Sequence, residues 1–201
     1  MRLSKRLKAI CNLIPNNSNI IDVGADHAYV SIYLNKYKNC ICLATDISEK
    51  CIKKAKENIN KYNANIKIFK TNGLNNINLT NQIIILSGMG THTILKILNK
   101  KIKNDLLISS NNDIPLLKKS LFKKGYYIYN ETVIFDKHYY VITYYKYGKK
   151  RKENPYISSY YPTNYLNHLL KEYNLKYKYQ KNILKKFKYK YLINKTRKML
   201  K

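Results

Sequence analysis

The fold of this chain is indicated by one short stretch near the N-terminus, which reads Ile20-Ile21-Asp22-Val23-Gly24-Ala25-Asp26-His27-Ala28. An apolar run ends in Asp-x-Gly, and a helical pattern begins a few residues later. A glycine in this place lets the backbone approach a ligand closely at the carboxyl end of a strand. The alternative is an ordinary tight turn between strand and helix, in which an Asp caps the helix.

The same stretch lacks the second glycine of a dinucleotide-binding loop, because Asp26 occupies its place. A carboxylate there would oppose the pyrophosphate that such loops bind at a helix N-terminus. A cofactor that carries a cationic sulfonium tolerates it. The stretch therefore favours a sulfonium cofactor over a dinucleotide.

Outward from this stretch, short β-rich runs alternate with helical segments up to about residue 147. The strand candidates are Asn19–Gly24, Ile41–Asp46, Ile66–Lys70, Gln82–Ser87, Leu106–Ser110, Tyr127–Phe135 and Tyr139–Tyr147. Helices are predicted near His27–Tyr37, Ser48–Tyr62, Thr91–Lys100 and Ile114–Lys124. Runs such as residues 83–86 are apolar on both faces, which is typical of parallel strands covered by helices on each side. The alternation predicts a doubly wound α/β sheet.

The last two strand candidates are joined only by the link Asp136-Lys137-His138. So short a connection indicates an antiparallel hairpin at one end of the sheet. Seven strands with a terminal antiparallel hairpin are typical of the class I methyltransferase variant of the Rossmann-like fold. We expect residues 1–147 to form this α/β domain.

The composition changes after residue 147. A basic linker runs from Gly148 to Pro155, and neither Gly nor Pro occurs from Thr163 onward. Apolar and aromatic residues recur there at helical spacing, which predicts a helical hairpin with some coiled-coil character, broken near Asn174. Residues 148–201 hold 16 basic and two acidic residues, which is +14 of the net charge of +28. We expect this segment to be a basic C-terminal extension.

The overall charge favours a nucleic-acid partner. The chain has 39 Lys and Arg against 11 Asp and Glu, and such an imbalance attracts polyanions. An AT-rich genome also enriches Lys, Asn, Ile and Tyr, so a solvated lysine surface is the alternative.

Membrane, export and metal signals are weak. No apolar run approaches the roughly 18 residues of a membrane span, and the basic N-terminus lacks the pattern of a signal peptide. A cytoplasmic protein without a membrane partner is therefore expected. The four cysteines lack C-x-x-C spacing, which predicts reduced, mostly buried thiols and no metal site.

Asp46 ends the second strand candidate, 22 residues after Gly24. An acidic residue at the tip of the second strand can bind both hydroxyls of an adenosine ribose through paired hydrogen bonds. The alternative is an N-cap for the helix predicted over Ser48–Tyr62. The spacing from the first motif favours the ribose role.

Two further motifs follow the third and fourth strand candidates. In Thr71-Asn72-Gly73-Leu74, a side-chain amide could contact an adenine amino group, although such turns are common. The segment Leu86-Ser87-Gly88-Met89-Gly90-Thr91 opens a helix, and its glycines leave a pocket wall with little side-chain bulk. Plain glycine turn chemistry is the alternative for this segment.

At these motifs the sequence resembles the bacterial tRNA (adenine-22, N1) methyltransferases, over about residues 1–147. The similarity is carried by Leu3-Ser4-Lys5-Arg6-Leu7, Asp22-Val23-Gly24-Ala25-Asp26-His27-Ala28-Tyr29 and Gly88-Met89-Gly90, with weaker echoes at Asn111 and Lys137-His138-Tyr139. The chain departs from the family at three places. The family commonly has Gly where Thr91 stands, Asp where Asn72 stands and Gln-Pro where Ser109-Ser110 stand.

The resemblance implies methyl transfer from S-adenosylmethionine to N1 of adenine 22, in the D-arm region of tRNA. It implies catalytic roles for Asp26, His27 and Tyr29, and tRNA contacts for Lys5, Arg6 and Asn111. The cofactor contacts that it implies follow four strands: Asp22, Gly24, Asp46, Ile47, Asn72, Gly73, Ser87, Gly88 and Met89.

The chemistry of this reaction sets its own requirements. Neutral adenine N1 carries an in-plane lone pair, so no base need remove a proton, and the enzyme must align N1, methyl carbon and sulfur. The product base is cationic, so Asp26 would stabilise the developing charge, or present N1 by accepting a hydrogen bond from the amino group. Tyr29 could stack on the base or shape the pocket, and His27 could pack on the cofactor or handle a proton. The target adenine must be unpaired or flipped.

Two other functions are open at this point. One is a class I methyltransferase that acts on another RNA, and the other is a catalytically degenerate, basic RNA-binding protein of the same fold. The intact Asp22, Gly24, Asp26 and Asp46 favour an enzyme. RNA binding would come mainly from phosphate contacts and RNA shape, with the Lys- and Tyr-rich tail as a candidate surface. The hairpin tyrosines are more typical of sheet packing.

Overall fold

A computed structural model describes residues 1–148 and 153–201. The chain divides into two compact units, Met1–Arg151 and Lys152–Lys201. Residues 149–152 of the basic linker predicted from Gly148 to Pro155 lie outside the described residues.

The first unit contains a seven-stranded sheet with helices on its faces. Its elements are α1 Lys5–Leu13, β1 Asn19–Val23, α2 Tyr29–Lys38, β2 Ile41–Asp46, α3 Glu49–Lys61, β3 Ile66–Lys70, β4 Ile83–Ser87, α4 Thr91–Ile97, β5 Leu106–Ser109, α5 Ile114–Lys123, β6 Tyr126–Asp136 and β7 His138–Tyr147. The strand order is β3-β2-β1-β4-β5-β7-β6. Strands β1 to β5 run parallel, while β7 pairs antiparallel with both β5 and β6. All seven predicted strands and the Rossmann-like methyltransferase topology are confirmed.

The switch point of the sheet lies between β1 and β4. From β1 the chain moves outward through β2 and β3, then returns to place β4 on the other side of β1. In open α/β sheets, ligands bind in the crevice outside the carboxyl ends of the strands at such a point. The loops after β1 and β4 therefore border the expected site.

Apolar side chains bury both faces of the central strands. Ile84 and Leu86 of β4 lie in one core cluster, whereas Ile83 and Ile85 lie in the other. Alternate residues of a strand point to opposite faces, so an unbroken apolar run is what a doubly covered strand requires. The prediction of mostly buried cysteines is confirmed, because three of the four are buried, and their reduced state stays a prediction.

Helix α1 was not predicted. Ser4 caps it by accepting a hydrogen bond from the N–H of Leu7, and its buried Ile10 and Cys11 join the second core cluster. The helix after β1 begins at Tyr29 rather than His27, because Ala28 is left-handed, with φ of 58°.

The second unit is a helical hairpin of α6, Thr163–Tyr179, and α7, Ile183–Met199. The two helices pack together. The predicted break near Asn174 is wrong, because the Asn174 side chain donates to the Leu170 carbonyl within an unbroken helix. The break comes at Gln180–Asn182, where Asn182 caps α7. In the part of the chain that the structure describes, no helix combines the length and apolar character needed to cross a bilayer.

Candidate active site

The turn after β1 has an unusual backbone. Gly24, Asp26 and Ala28 all have positive φ, at 69°, 50° and 58°. Two of these residues are not glycine, and such conformations persist only where the surroundings enforce them. Here the N–H of Gly24 donates to the Thr45 carbonyl on β2 at 2.8 Å. The turn is thereby fixed against the tip of the neighbouring strand.

Asp46, at the end of β2, also holds this turn in place. Its Oδ2 accepts a hydrogen bond from the N–H of Asp26 at 3.0 Å, and its Oδ1 accepts one from the N–H of Ser48 at 2.9 Å. Ser48, not Asp46, caps α3, by accepting from the N–H of Cys51, so the alternative N-cap role for Asp46 is wrong. Beside this buried carboxylate, the apolar side chain of Ile47 is 63% exposed.

Asp22 lies beneath the turn. It is buried, and its Oδ2 accepts a hydrogen bond from the Ser31 hydroxyl of α2 at 2.7 Å. Desolvation by burial raises the pKa of Asp22 to about 6, although the bond from Ser31 partly opposes this rise. One oxygen of Asp22 thus contacts α2, and ionising this buried carboxyl costs free energy because water cannot solvate it.

The three candidate catalytic residues are neighbours at the rim of the turn. His27 Nε2 lies 3.7 Å from Asp26 Oδ2, and the rings of His27 and Tyr29 lie 5.9 Å apart. The Asp26 side chain is exposed, whereas His27 Nδ1 is buried and has no hydrogen-bond partner among the described residues. The side-chain N–H of Asn58 on α3 donates a hydrogen bond to the His27 carbonyl at 3.0 Å. An unsatisfied buried nitrogen in a fixed loop is a group that a ligand can satisfy.

The loop after β4 closes over the turn after β1. The Met89 methyl occupies the place that a Cβ on residue 24 would take. Because that methyl is the end of a flexible side chain, it is the positive φ of Gly24 that favours glycine here. Gly88 is also left-handed, with φ of 80°. At the end of β4, the buried Ser87 hydroxyl has no partner among the residues that the structure describes.

Hydrogen bonds join the loop after β4 to the loop after β5. The side-chain N–H of Asn111 donates to the Gly88 carbonyl at 2.7 Å, and its backbone N–H donates to the Met89 carbonyl at 2.9 Å. Thr91 and Ser110 hydroxyls meet at 2.9 Å. Asn111 therefore reaches the site, where its side-chain nitrogen stabilises the loop.

The turn after β3 places Asn72 at the same edge of the sheet, with its side chain exposed. Gly73 has φ of 62°, and a Cβ there would lie 3.0 Å from Cγ1 of Ile97 on α4. Backbone conformation and packing therefore both explain the glycine.

Helix α1 brings Arg6 to the site. The Arg6 Nη2 lies 3.7 Å from where a Cβ on Gly88 would be, and its Cζ lies 5.2 Å from the centroid of the Tyr140 ring. Lys5, one residue earlier, is exposed. Sequence reasoning missed Tyr140, although the weak similarity at residues 137–139 ends beside it. No group of three or more His, Cys, Asp or Glu residues within the described ranges could hold a metal ion.

The sheet order and the loops at its switch point define a class I methyltransferase site. A family model described as "Methyltransferase domain" matches residues 3–143, and the chain belongs to this family.

Relatives with more specific names are similar to this chain. It is 29% identical to the putative tRNA methyltransferase MG248 of Mycoplasma genitalium, over 68% of this chain and 66% of that protein. It is also 29% identical to the tRNA (adenine(22)-N(1))-methyltransferase of Bacillus subtilis, over 67% of this chain and 60% of that protein. The matched region thus spans less than two thirds of either relative. The resemblance found in the sequence is confirmed.

Solved structures agree with this relationship. The structure of M. capricolum TrmK in complex with S-adenosyl-homocysteine matches with a TM-score of 0.82 at 27% identity, covering 100% of this chain and 98% of that one. Streptococcus pneumoniae Sp1610, a putative tRNA (m1A22) methyltransferase in complex with S-adenosyl-L-methionine, matches with a TM-score of 0.80 at 21% identity, covering 100% of each chain. The second likeness concerns the fold alone.

Proposed function

We propose that this chain transfers a methyl group from S-adenosylmethionine to N1 of an adenine in tRNA, at position 22. The observation that carries the proposal is the arrangement around Gly24, where Met89, Asp46 and Asp26 converge at the switch point of a methyltransferase sheet. The names of the relatives support the tRNA substrate. We further propose a cytoplasmic protein in which residues 1–147 perform the chemistry and residues 148–201 form a helical extension.

The site fits S-adenosylmethionine. Gly24 itself carries no side chain, the Ser87 hydroxyl lacks a partner within the described chain, and Ile47 offers an exposed apolar side chain beside a carboxylate. When bound, the cofactor supplies an electrophilic methyl group on a cationic sulfonium.

In this proposal Asp46 binds the ribose hydroxyls. An ionised carboxylate offers about four acceptor positions, and two of them serve the N–H groups of Asp26 and Ser48. The remaining positions accept from the ribose without loss of these bonds. Ile47 packs against the adenine ring, and Asn72 contacts its amino group.

The other cofactor contacts come from two loops. Asp22 and Gly24 form one wall of the pocket, and Ser87, Gly88 and Met89 form the other, with Gly73 fixing the turn that carries Asn72. Met89 covers Gly24 in this structure, so its flexible side chain must move aside for the cofactor.

Asp26 is the residue that we assign to the chemical step. Its exposed carboxylate faces the target base and stabilises the positive charge that develops on the ring. Because neutral N1 carries no proton, His27 is not required as a base, and its 3.7 Å separation from Asp26 suits a residue that orients that carboxylate. Tyr29 shapes the pocket beside His27.

The tRNA contacts in the proposal come from Lys5, Arg6 and Asn111, and from the C-terminal helices. Helix α7 contains seven basic residues and no acidic one, together with exposed Phe187 and Tyr191. Basic side chains can neutralise RNA phosphates, and exposed aromatic side chains can stack on unpaired bases.

Nucleoside mass spectrometry tests the proposal. The protein is incubated with S-adenosylmethionine and unmodified tRNA, and a tRNA with guanine at position 22 is the matched control. We expect 1-methyladenosine only in the first tRNA. Methylation of another RNA alone would support the broader methyltransferase function. Absence of cofactor binding in calorimetry would support the degenerate RNA-binding protein.

A further inference from the structure

The guanidinium of Arg6 lies over the loop that follows β4. Its Nη1 and Nη2 lie 3.9 and 3.7 Å from the Cβ position of Gly88, and the Tyr140 ring lies 5.2 Å from its Cζ. Tyr140 belongs to β7, which pairs with β5 through Ile108 and Thr143. Because β7 runs antiparallel to β5, its earlier residues extend beyond the carboxyl end of β5, on the side of the candidate active site.

Arg6 reaches this place without a carboxylate partner. None of the ion pairs among the described residues includes it. The charged groups at the tip of the hairpin are Asp136, which stands opposite His138 in the register, and Lys137. Arg6 is half-buried and lies over the Tyr140 ring. Its positive charge therefore stands beside a site that we assign to a cationic cofactor.

We propose that Arg6 binds a phosphate of the RNA backbone next to the methylated adenine, and that Tyr140 is the positioning residue that holds it there. This inference rests on the proposed function. The planar guanidinium matches two oxygens of a phosphate. An adenine that presents N1 has left its stack, which brings its flanking phosphates to the rim of the pocket.

Charge balance supports a phosphate at this position. Methylation makes the adenine cationic, and an unneutralised guanidinium nearby would oppose that charge, the more strongly where water is excluded. A bound phosphodiester cancels the charge of Arg6. Binding of this phosphate thereby removes the repulsion between the Arg6 guanidinium and the positive charge that develops on the adenine.

Tyr140 is suited to hold the guanidinium. Its ring is partly exposed, and the His138 ring lies 4.1 Å from it, two residues away on the same face of β7. Cation–π contacts keep an Arg side chain over a ring while its N–H groups stay free to donate. A phenylalanine would keep this contact, and a leucine would not.

The experiment measures tRNA affinity, KM for tRNA and the rate of methylation for Arg6→Gln, Arg6→Lys, Tyr140→Phe and Tyr140→Leu. Lys8→Gln, an exposed position on the same helix, controls for lost charge. We expect Arg6→Gln to weaken tRNA binding about tenfold or more and Arg6→Lys to restore only part of it. Tyr140→Phe should resemble the wild type. Tyr140→Leu should weaken binding a few-fold in the wild-type background, and it should cause no further loss when it is added to Arg6→Gln.

A chemically altered RNA identifies the ligand. A single uncharged methylphosphonate is placed on either side of adenine 22. At one of the two positions, wild-type binding should fall about as far as Arg6→Gln binding does, and the Arg6→Gln variant should not respond. Equal penalties in both proteins, or unchanged tRNA affinity of Arg6→Gln, would overturn the inference. If the wild type binds tRNA in this Arg6-dependent way but forms no 1-methyladenosine, the proposed function fails and the phosphate contact stands.

Discussion

Asp46→Ala tests the cofactor site, because Asp46 both supports the fold and is assigned to the ribose. The change removes the acceptor for the N–H groups of Asp26 and Ser48. A hydrogen bond to a charged group contributes about 1.5–3 kcal/mol. The two bonds share one carboxylate, so we expect the free energy of unfolding to fall by about 2–4 kcal/mol. Loss of the ribose contact should weaken S-adenosylmethionine binding by a further 1.5–3 kcal/mol, or about 10- to 150-fold in Kd.

The two effects are measured separately. Urea unfolding gives the stability, and calorimetry well below the melting temperature gives the Kd of the folded variant. Ser48→Ala is the matched control, since it removes the cap of α3 at a cost of about 1 kcal/mol and leaves the ribose site intact. Wild-type affinity in a folded Asp46→Ala protein would refute the ribose role. An equal loss of affinity in Ser48→Ala would show that the effect passes through α3.

Three further predictions address chemistry, pH and the tail. Asp26→Asn should lower kcat about 100-fold, the order of loss when one charge-stabilising group is removed from an active site, and should leave S-adenosylmethionine affinity unchanged. Wild-type turnover would contradict this. Burial raises the pKa of Asp22 from 3.8 to about 6. Between about pH 4 and pH 6 the folded state therefore holds a proton that the unfolded state has released. As the pH rises through this range, the contribution of Asp22 to the free energy of unfolding falls. Asp22→Asn should flatten the unfolding free energy across that window and raise it at pH 7, as urea titrations at several pH values would reveal. A chain ending at Gly148 should keep its sheet and its cofactor affinity. The slope of log tRNA affinity against log salt concentration should flatten by roughly 0.7–0.9 for each lost phosphate contact. An unchanged slope with a lower melting temperature would indicate a structural tail.

The sheet could be predicted from sequence because its signals are local. The run of residues 83–86 is apolar on both faces, and each alternate residue enters a different core cluster. A strand end followed by Asp or Gly is equally visible, so the tips at Gly24 and Asp46 were found. Their geometry follows from the parallel register, since the carboxyl ends of β1, β2 and β4 meet at one edge.

The features that the sequence did not reveal depend mainly on contacts between residues far apart in the chain. Helix α1 is short and basic, and only the buried Ile10 and Cys11 reveal why it packs on the sheet; Ser4 before apolar residues at helical spacing was the available signal. Tyr140 lies next to Arg6 because α1 and β7 are in contact, and the sequence does not show that contact. The false break at Asn174 arose because an Asn can either end a helix or, as here, return its hydrogen bond to the preceding turn.

Two departures from the family pattern are explained by a single contact. Thr91 and Ser110 stand where the family commonly has Gly and Pro, and their buried hydroxyls lie 2.9 Å apart. The Thr91 hydroxyl also donates to the Asn112 carbonyl at 2.7 Å. A glycine has no side chain with which to make either bond, and a proline has no hydroxyl. In this chain a pair of side chains therefore fastens the loop after β4 to the loop after β5. The Gly88–Met89 segment is thus held over Gly24 with the help of two hydroxyl groups that Gly and Pro would lack. Both departures are therefore compatible with an intact site.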